Sequence, residues 1–551
     1  MALVDNAIEL FKENKIEEAK RIFELCLDVD NGDYIANRYL GLCNLELKDY
    51  EKALVYLKNA LAINKNFESE GDLGICYWYL KDYEHAQVHL ITSVMDKFDD
   101  KYAKILEKAL LSRHNDEAML GLKLLMHDNH PKDIFILRDI TSYAQKLKKY
   151  QIATQYFDIL LKLSPDDYVA WNNLGLIYEE IGEWKKAYDC YKKSLSIKDF
   201  FSPNFNLGIM SRKMHRFEDS IKYLKKAILQ NPKSPQPKYS LSMSYMMLKD
   251  FKNGYPLYAN HMSLIMPSFY RNEWKDADFH PDKTLCIFAT GGLGDMIMFS
   301  RYFDYIKGYF KKTYLLLPET LHSIFKYNFP YLELIDSNVI FTDFDYAIAP
   351  MHILKLFNLD FTVFVPKQEG FFEVREDLIK KFGKKLKKNN KLKVAINWHG
   401  NREGTRTFFN RSMPIEYLEP VFEKYKDKAD FYSIQKDDSH TDCQKYSFVS
   451  DMYDDIKNYE DTAAILKNMD LLISIDSSPV HMAGALGVKT YMILPYTNEW
   501  RWFVDDKKTI WYDSVDIFRQ KNEGNWQSAV DKILDKMDEL FESNPTTEAN
   551  P

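Results

Sequence analysis

The sequence predicts an α + α/β protein, an all-α solenoid followed by two α/β halves built on parallel sheets. Two observations predict it. Residues 1–262 repeat themselves every 33–34 positions with helical spacing. After Pro281, short apolar runs alternate with amphipathic stretches, as strands joined by crossover helices do. A chain of 551 residues exceeds one ordinary core, and 46% hydrophobic residues suffice for several.

The repeats come first. Leu40-Gly41 aligns with Leu73-Gly74, and Ala53 with Ala86. The fullest copy, AWNNLGLIYEEIGEWKKAYDCYKKSLSI, carries Trp171, Leu174, Gly175, Tyr178, Ala187 and Tyr191. The next has Leu207-Gly208, Ser220, Ala227 and Pro232, and a further one places Gly254 in the small-residue slot. Small residues let the two helices of a hairpin approach closely, large ones fill the groove, and proline ends the second helix. The segment from about Lys101 to His130 is helical in pattern but departs from the repeat. These residues and this period resemble tetratricopeptide repeats. The resemblance implies an extended concave surface that holds a peptide or protein, the alternatives being helices that only stabilise the rest of the chain or that mediate self-association.

In the second region TLCIFAT (284–290) reads as a buried strand, GGLGD as a glycine-rich turn and MIMFSRYFDYIKGYF as a helix. A second series runs through KVAINW, FYSIQ, DLLISID, HMAGALG and KTYMILP. Two such series suggest two Rossmann-like halves. The lysine-rich stretch between them, EVREDLIKKFGKKLKKNNKLK, reads as a solvated helix and linker, since no aromatic platform accompanies it. The expected domains are therefore 1–262 (repeats), 263–380 and 381–540 (the two α/β halves), and 541–551 (a disordered tail).

Ligands of open α/β sheets bind outside the carboxyl ends of the strands, and both marked turns lie there. In SIDSSPVHMAGALG, Ser477 or Ser478 suits the N-cap and Pro479 the first helical turn. Free N–H groups and the positive end of the helix dipole then make an anion site, and a diphosphate is its natural occupant. His481 in the first turn can hydrogen-bond a phosphate. Asp476 suits sugar or ribose hydroxyls, or orders the turn. A capped, packed βα turn explains the same residues. In GGLGD, Gly292 and Gly294 let backbone pass close to a ligand. Asp295 is either a favourable charge at a helix start or a general base.

Together GGLGDMIMFSRYF, WHGN, NRSMPIEYL, SIQKDD, YEDTAAILKNMDLLISIDSSPVHMAGALG, LPYTNEWRWF and IFRQ resemble the glycosyltransferase domain of bacterial tetratricopeptide-repeat proteins. That domain is related to the ADP-heptose–lipopolysaccharide heptosyltransferases. The resemblance spans about Gly254 to Leu540. It implies a GT-B fold and inverting sugar transfer from a nucleotide-diphosphate donor without a metal or other cofactor. By motif it makes Asp295 the catalytic base and Arg411 the cation on the donor phosphates. Asp476, Ser477, Ser478 and His481 form the diphosphate loop. Trp398, His399, Gly400 and Asn401 stand at a strand end on the same side. Gln435 and the run Glu499, Trp500, Arg501, Trp502 are further candidates for nucleotide or sugar contact. Relatives commonly carry an acidic or amide pair where this chain has Thr290-Gly291, and Asp-Arg where it has Phe409-Asn410.

The net charge of −7 does not suit a nucleic-acid binder. Six cysteines without metal-ligand spacing read as reduced core thiols. MALVDNAIELFKEN lacks a basic stretch followed by an apolar one, so no secretory signal is expected, and no apolar run approaches the ~18 residues of a membrane span. Asp343-Phe344-Asp345 and DDSHTD (437–442) read as loops, not metal sites. The expectation is a soluble, cytoplasmic glycosyltransferase acting on a protein acceptor held by the repeats, which also offer a route to homo-oligomers. The alternatives are a glycan or lipid-linked acceptor, or a repeat scaffold whose transferase domain has degenerated.

Overall fold

The computed structural model describes residues 2–265, 272–288, 291–357, 370–400, 411–504, 507 and 509–543. It begins with eight helical hairpins. They are α1 (Ala2–Lys12) with α2 (Ile16–Val29), α3 (Tyr34–Glu46) with α4 (Tyr50–Ile63), α5 (Phe67–Tyr79) with α6 (Tyr83–Asp96), and α7 (Asp100–Ser112) with α8 (Asp116–Asn129). They continue as α9 (Ile134–Lys146) with α10 (Tyr150–Leu163), α11 (Tyr168–Glu180) with α12 (Trp184–Ile197), α13 (Phe201–Lys213) with α14 (Phe217–Gln230), and α15 (Gln236–Met247) with α16 (Phe251–Ile265).

The repeat is legible in the caps. Asp33, Asn66, Asp99, Asp133 and Asp167 each accept a first-turn amide at the start of a hairpin. The turn inside each hairpin needs one left-handed residue. Asn14, Lys48, Lys81, His114, Lys148, His215 and Lys249 fill it with φ between 53° and 64°, and Gly182 does so in the hairpin of the fullest copy. Close approach of the paired helices explains the glycines. A Cβ on Gly41, Gly74, Gly175 or Gly208 would meet Leu57, Leu90, Tyr191 or Leu224 at 2.5–2.6 Å. The irregular Lys101–His130 segment is α7 and α8, a hairpin of the same period. Glu107 stands where four of the other hairpins have glycine and Lys123 where they have the large apolar residue, joined at 2.8 Å.

The α/β region holds two all-parallel sheets. The first has β1 (His280–Phe288), β2 (Phe310–Leu317), β3 (Leu332–Asp336) and β4 (Tyr346–Ile348) in the order β3-β2-β1-β4. The second has β5 (Leu392–Asn397), β6 (Ala429–Ser433), β7 (Val449–Asp451), β8 (Leu471–Ile475), β9 (Thr490–Leu494) and β10 (Val515–Arg519) in the order β10-β9-β8-β5-β6-β7. Crossovers include α17 (Leu293–Phe299), α18 (His322–Asn328), α19 (His352–Leu356), α20 (Glu376–Gly383), α21 (Glu419–Tyr425), α22 (Tyr459–Leu466) and α23 (Ser478–Leu486), and α24 (Gln527–Ser543) closes the region. β1, β5, β6, β8 and β9 are apolar runs read from the sequence, whereas the short strands β3, β4 and β7 and the edge strand β10 are not among them. The order in which strands are added switches sides between β1 and β4 in one sheet and between β5 and β8 in the other, which are the positions where such sheets take ligands.

The chain divides into two compact units, Met1–Pro203 and Asn204–Pro551. Helices α14 to α16 thus group with the α/β region, although the period extends the array to 262. Two expected boundaries fall inside helices: 262 lies within α16, and 380 within α20, which packs on α22. The expected disordered tail begins too early, because α24 continues to Ser543; residues 544–551 lie outside the described residues. DDSHTD is not an open loop but the start of a 3-10 helix, Asp438–Lys445. Asp345 accepts from the Thr284 amide at 2.8 Å and faces Lys283 at 3.0 Å, which staples the middle of β1 to the turn before β4. Among the described residues no helix is long and apolar enough to cross a membrane.

Candidate functional site

Both switch points carry the turns singled out in the sequence. Beyond β1, Gly292 caps α17, and Asp295 lies in its first turn. A Cβ on Gly291 would sit 2.0 Å from Asp295 Oδ2, so a side chain there would push that carboxylate from its place. Beyond β8, Ser477 is the N-cap of α23, Pro479 lies in the first turn, and Gly487 ends the helix at φ 72°.

Ser477 does not cap with its side chain. Its hydroxyl donates to Asn397 Oδ1 at 2.8 Å, and Ser474 reaches the same atom at 3.2 Å. Asn397 in turn donates to Gln435 Oε1 at 2.7 Å. Gln435 also accepts from the amides of Trp398 and His399 and donates to the His399 carbonyl. One amide pair therefore ties the ends of β5, β6 and β8 together. In the first turn of α23 the Val480 amide is bonded to the Ser477 carbonyl and Pro479 has none. Ser478 Oγ is hydrogen-bonded to the Tyr459 hydroxyl, and burial pushes that phenol up to about 12.

The two turns meet. α17 packs on α23, and a Cβ on Gly294 would lie 2.4 Å from His481 Cδ2. His481 is buried, with Nδ1 3.0 Å from the Tyr512 hydroxyl and its ring tilted against Trp502. Burial, then Arg501, Arg301 and Arg411, push its pKa down to about 3, so it stands neutral at pH 7. Arg301 is itself buried. It donates to the carbonyls of Met298 and Trp511 at 2.8 Å, with Phe371 and Tyr512 flanking the cation at 4.6 and 4.9 Å.

Arg501, on the single 3-10 turn Trp500–Trp502, grips Asp295. Its Nη2 donates to Oδ2 at 2.8 Å, while Nε lies 2.7 Å from Oδ1 but off the N–H axis, so the first bond is the directed one. Nη1 reaches Glu499 at 3.3 Å. Burial alone would lower the pKa of Arg501, but Asp295 and Glu499 outweigh it and the net shift is upward. Burial raises that of Glu499 against the pull of Arg501. Arg411 stands 3.8 Å from Asp476, a loose pair.

The structure thus brings together Asp295, Gly292, Gly294, His481 and Arg501, with Asp476 and Arg411 as a neighbouring pair. Three expected donor contacts are core residues instead. Trp398 and Trp500 are 1% exposed and Gln435 is 2% exposed, its amide spent on protein groups. His399 is paired with Asp437 at 2.7 Å. Asn401 lies outside the described residues. Sequence reasoning passed over Asn397, Arg301, Tyr459 and Tyr512. Of these only Asn397, the one polar residue closing the apolar run of β5, left a signal.

The tetratricopeptide-repeat family profile matches residues 4–67 and 168–200. The N-terminal array is built of tetratricopeptide repeats. The chain is similar to Protein FlbA of Caulobacter vibrioides, 21% identical over 445 residues, covering 73% of this chain and 72% of the relative. That share exceeds the repeat array, so the likeness reaches into the α/β region. It is also similar to BBSome complex member BBS4 of Bos taurus, 23% identical over 279 residues and covering 47% of this chain. Here the chain spans only 50% of the relative's length. Among solved structures it is similar to Naa15/Naa10 bound to HypK-THB, with TM-score 0.39 and 14% identity over 48% of this chain and 43% of that one. MamA of Desulfovibrio magneticus RS-1 gives TM-score 0.28 and 21% identity over 30% of this chain and 93% of that one.

Proposed function

We propose that this tetratricopeptide-repeat protein is an inverting, metal-independent glycosyltransferase of GT-B type. It moves a sugar from a nucleotide-diphosphate donor to a hydroxyl of a protein acceptor recruited by the repeats. One observation carries the reading. The turns at the switch points of two parallel sheets converge, placing the Asp295 carboxylate beside the start of the helix that follows β8.

The acceptor hydroxyl attacks the anomeric carbon as the bond to the diphosphate breaks, and Asp295 takes the hydroxyl proton. Arg501 and Arg411 offset the charge arriving on the leaving diphosphate. His481, neutral and held by Tyr512, lends no cation. It sets the spacing of α17 and α23. Asn397 and Gln435 fix the turn that carries Asp476 and Ser477. A glycan or lipid-linked acceptor keeps the same chemistry.

A scaffold role is the second reading. It is favoured by the engagement of both Asp295 oxygens, by the burial of His481 and by the likeness to a BBSome complex member. The full chain, given ADP-, GDP-, UDP- and CMP-linked sugars in a calorimetric panel, separates the two. The enzyme reading expects binding of one donor and loss of transfer in Asp295→Ala. No binding from any donor leaves the scaffold, and full transfer by Asp295→Ala removes Asp295 from the chemistry.

A further inference from the structure

The backbone of the segment that carries Arg501 is held by a set of side-chain hydrogen bonds. Trp511 Nε1 donates to the Arg501 carbonyl at 2.9 Å. Asn498 Nδ2 donates to the carbonyls of Glu499 at 2.7 Å and Phe503 at 3.0 Å, and Arg519 donates to Asn498 Oδ1 at 2.6 Å and to the Trp502 carbonyl. Upstream, the Tyr496 amide donates to Gln520 Oε1 at 3.0 Å. His215, in the turn before α14, stacks on the Tyr496 ring at 4.3 Å with Nε2 3.1 Å from its carbonyl. From the same side Lys249 lies over the Phe503 ring at 4.9 Å. Phe503 itself is held at φ 48° and ψ −160°, a region that a side chain rarely adopts and that persists only where the surroundings over-determine it.

What this rigid mount presents is one guanidinium with an excess of anions. Asp295 takes Nη2 and the flank at Nε, Glu499 takes Nη1, and Asp476 adds a third negative charge to its surroundings. Both carboxylate partners keep some solvent access, at 22% for Asp295 and 31% for Glu499, whereas Arg501 keeps 12%. A guanidinium fork fits phosphate and carboxylate oxygens alike, and a diphosphate brings more negative charge than one carboxylate.

We propose that Arg501 is a switch between Asp295 and the donor diphosphate. Without donor it neutralises Asp295. An arriving diphosphate draws the guanidinium away by side-chain rotation and leaves the carboxylate free to receive the acceptor proton. The proposal rests on the glycosyltransferase reading and adds an order to it: donor first, then acceptor.

The test is calorimetric titration of the full chain with UDP, GDP and ADP. If the diphosphate must displace Asp295 from Arg501, removing the competing charge in Asp295→Asn tightens binding by about tenfold. General repulsion between Asp295 and the ligand would give a gain too, so the same substitution is repeated in Arg501→Gln. There the switch expects no further gain, because the coupling runs through the guanidinium. Unchanged or weaker binding by Asp295→Asn overturns the switch while leaving the glycosyltransferase reading intact. So does a gain that persists in Arg501→Gln. If Arg501→Gln abolishes binding, the salt dependence of the Asp295→Asn gain decides: a gain that persists at high salt supports the switch, and one that fades with salt is general repulsion and overturns it. Failure of the unsubstituted chain to bind any of the three removes the glycosyltransferase reading and the switch with it.

Discussion

Exchanging Lys123 for leucine tests why one repeat is hidden in the sequence. In four hairpins the eighth residue of the first helix is glycine, and the eighth of the second is leucine or tyrosine packed against it. In α7 and α8 those places hold Glu107 and Lys123, joined at 2.8 Å, with Asp139 adding a contact at 2.7 Å. The Lys123 side chain is 5% exposed, Glu107 30% and Asp139 46%. Lys123→Leu alone strands the two carboxylates and brings leucine against Glu107. Breaking a buried pair costs about 3–5 kcal/mol, and the partial exposure of Glu107 and Asp139 puts this case at about 3. Adding Glu107→Gly restores the usual packing. A buried leucine then contributes about 2 kcal/mol against about 1 kcal/mol for a helical glycine. The double variant is therefore expected within about 1 kcal/mol of the parent, or above it. Native-state hydrogen exchange of the α7 and α8 amides, with urea unfolding followed by circular dichroism, reads both values. Single-variant costs that simply add in the double variant would refute the equivalence of the two packings.

Two further outcomes follow from the site. Gly294→Ala puts a methyl 2.4 Å from a His481 ring that Tyr512 and Trp502 hold in place. It should cost about 1–3 kcal/mol in urea midpoint, and His481→Ala should relieve it. The folded pKa of His481, about 3 against an ordinary 6.5, also sets an acid limit. Above pH 6.5 the ring is neutral in both states. As pH falls from 6.5 toward 3 only the unfolded chain takes the proton, so about 2 kcal/mol of stability is lost by pH 5. His481→Asn should flatten that limb of the stability–pH curve, and an unchanged slope would mean that the ring is not held neutral.

The repeats were legible because their information is local. Caps, left-handed turns and glycine–leucine contacts recur at fixed offsets, and Ala53, Ala86, Ala153 and Ala187 are fully buried where the period puts them. Lys101–His130 resisted because an ion pair replaced an apolar one at the same two places, and the period persisted while its residue signature did not. The central strands and both switch-point turns were equally readable, since apolar runs and capping chemistry act over a few residues, but the short strands β3, β4 and β7 and the edge strand β10 were not.

The site residues divide differently. Asp295 and the Ser477 turn announce themselves in sequence, but whether an aromatic or amide side chain faces a ligand or the core is decided by packing. Trp398, Trp500 and Gln435 went to the core. The pairing of Asp295 with Arg501 joins positions 206 residues apart, and nothing local marks it. The sequence by itself determined the repeat helices, the central strands and the glycines that permit close approach, because each follows from neighbours along the chain. Only the tertiary structure decided which charges meet and which histidine stays neutral, because burial and Coulomb energy depend on distance in space.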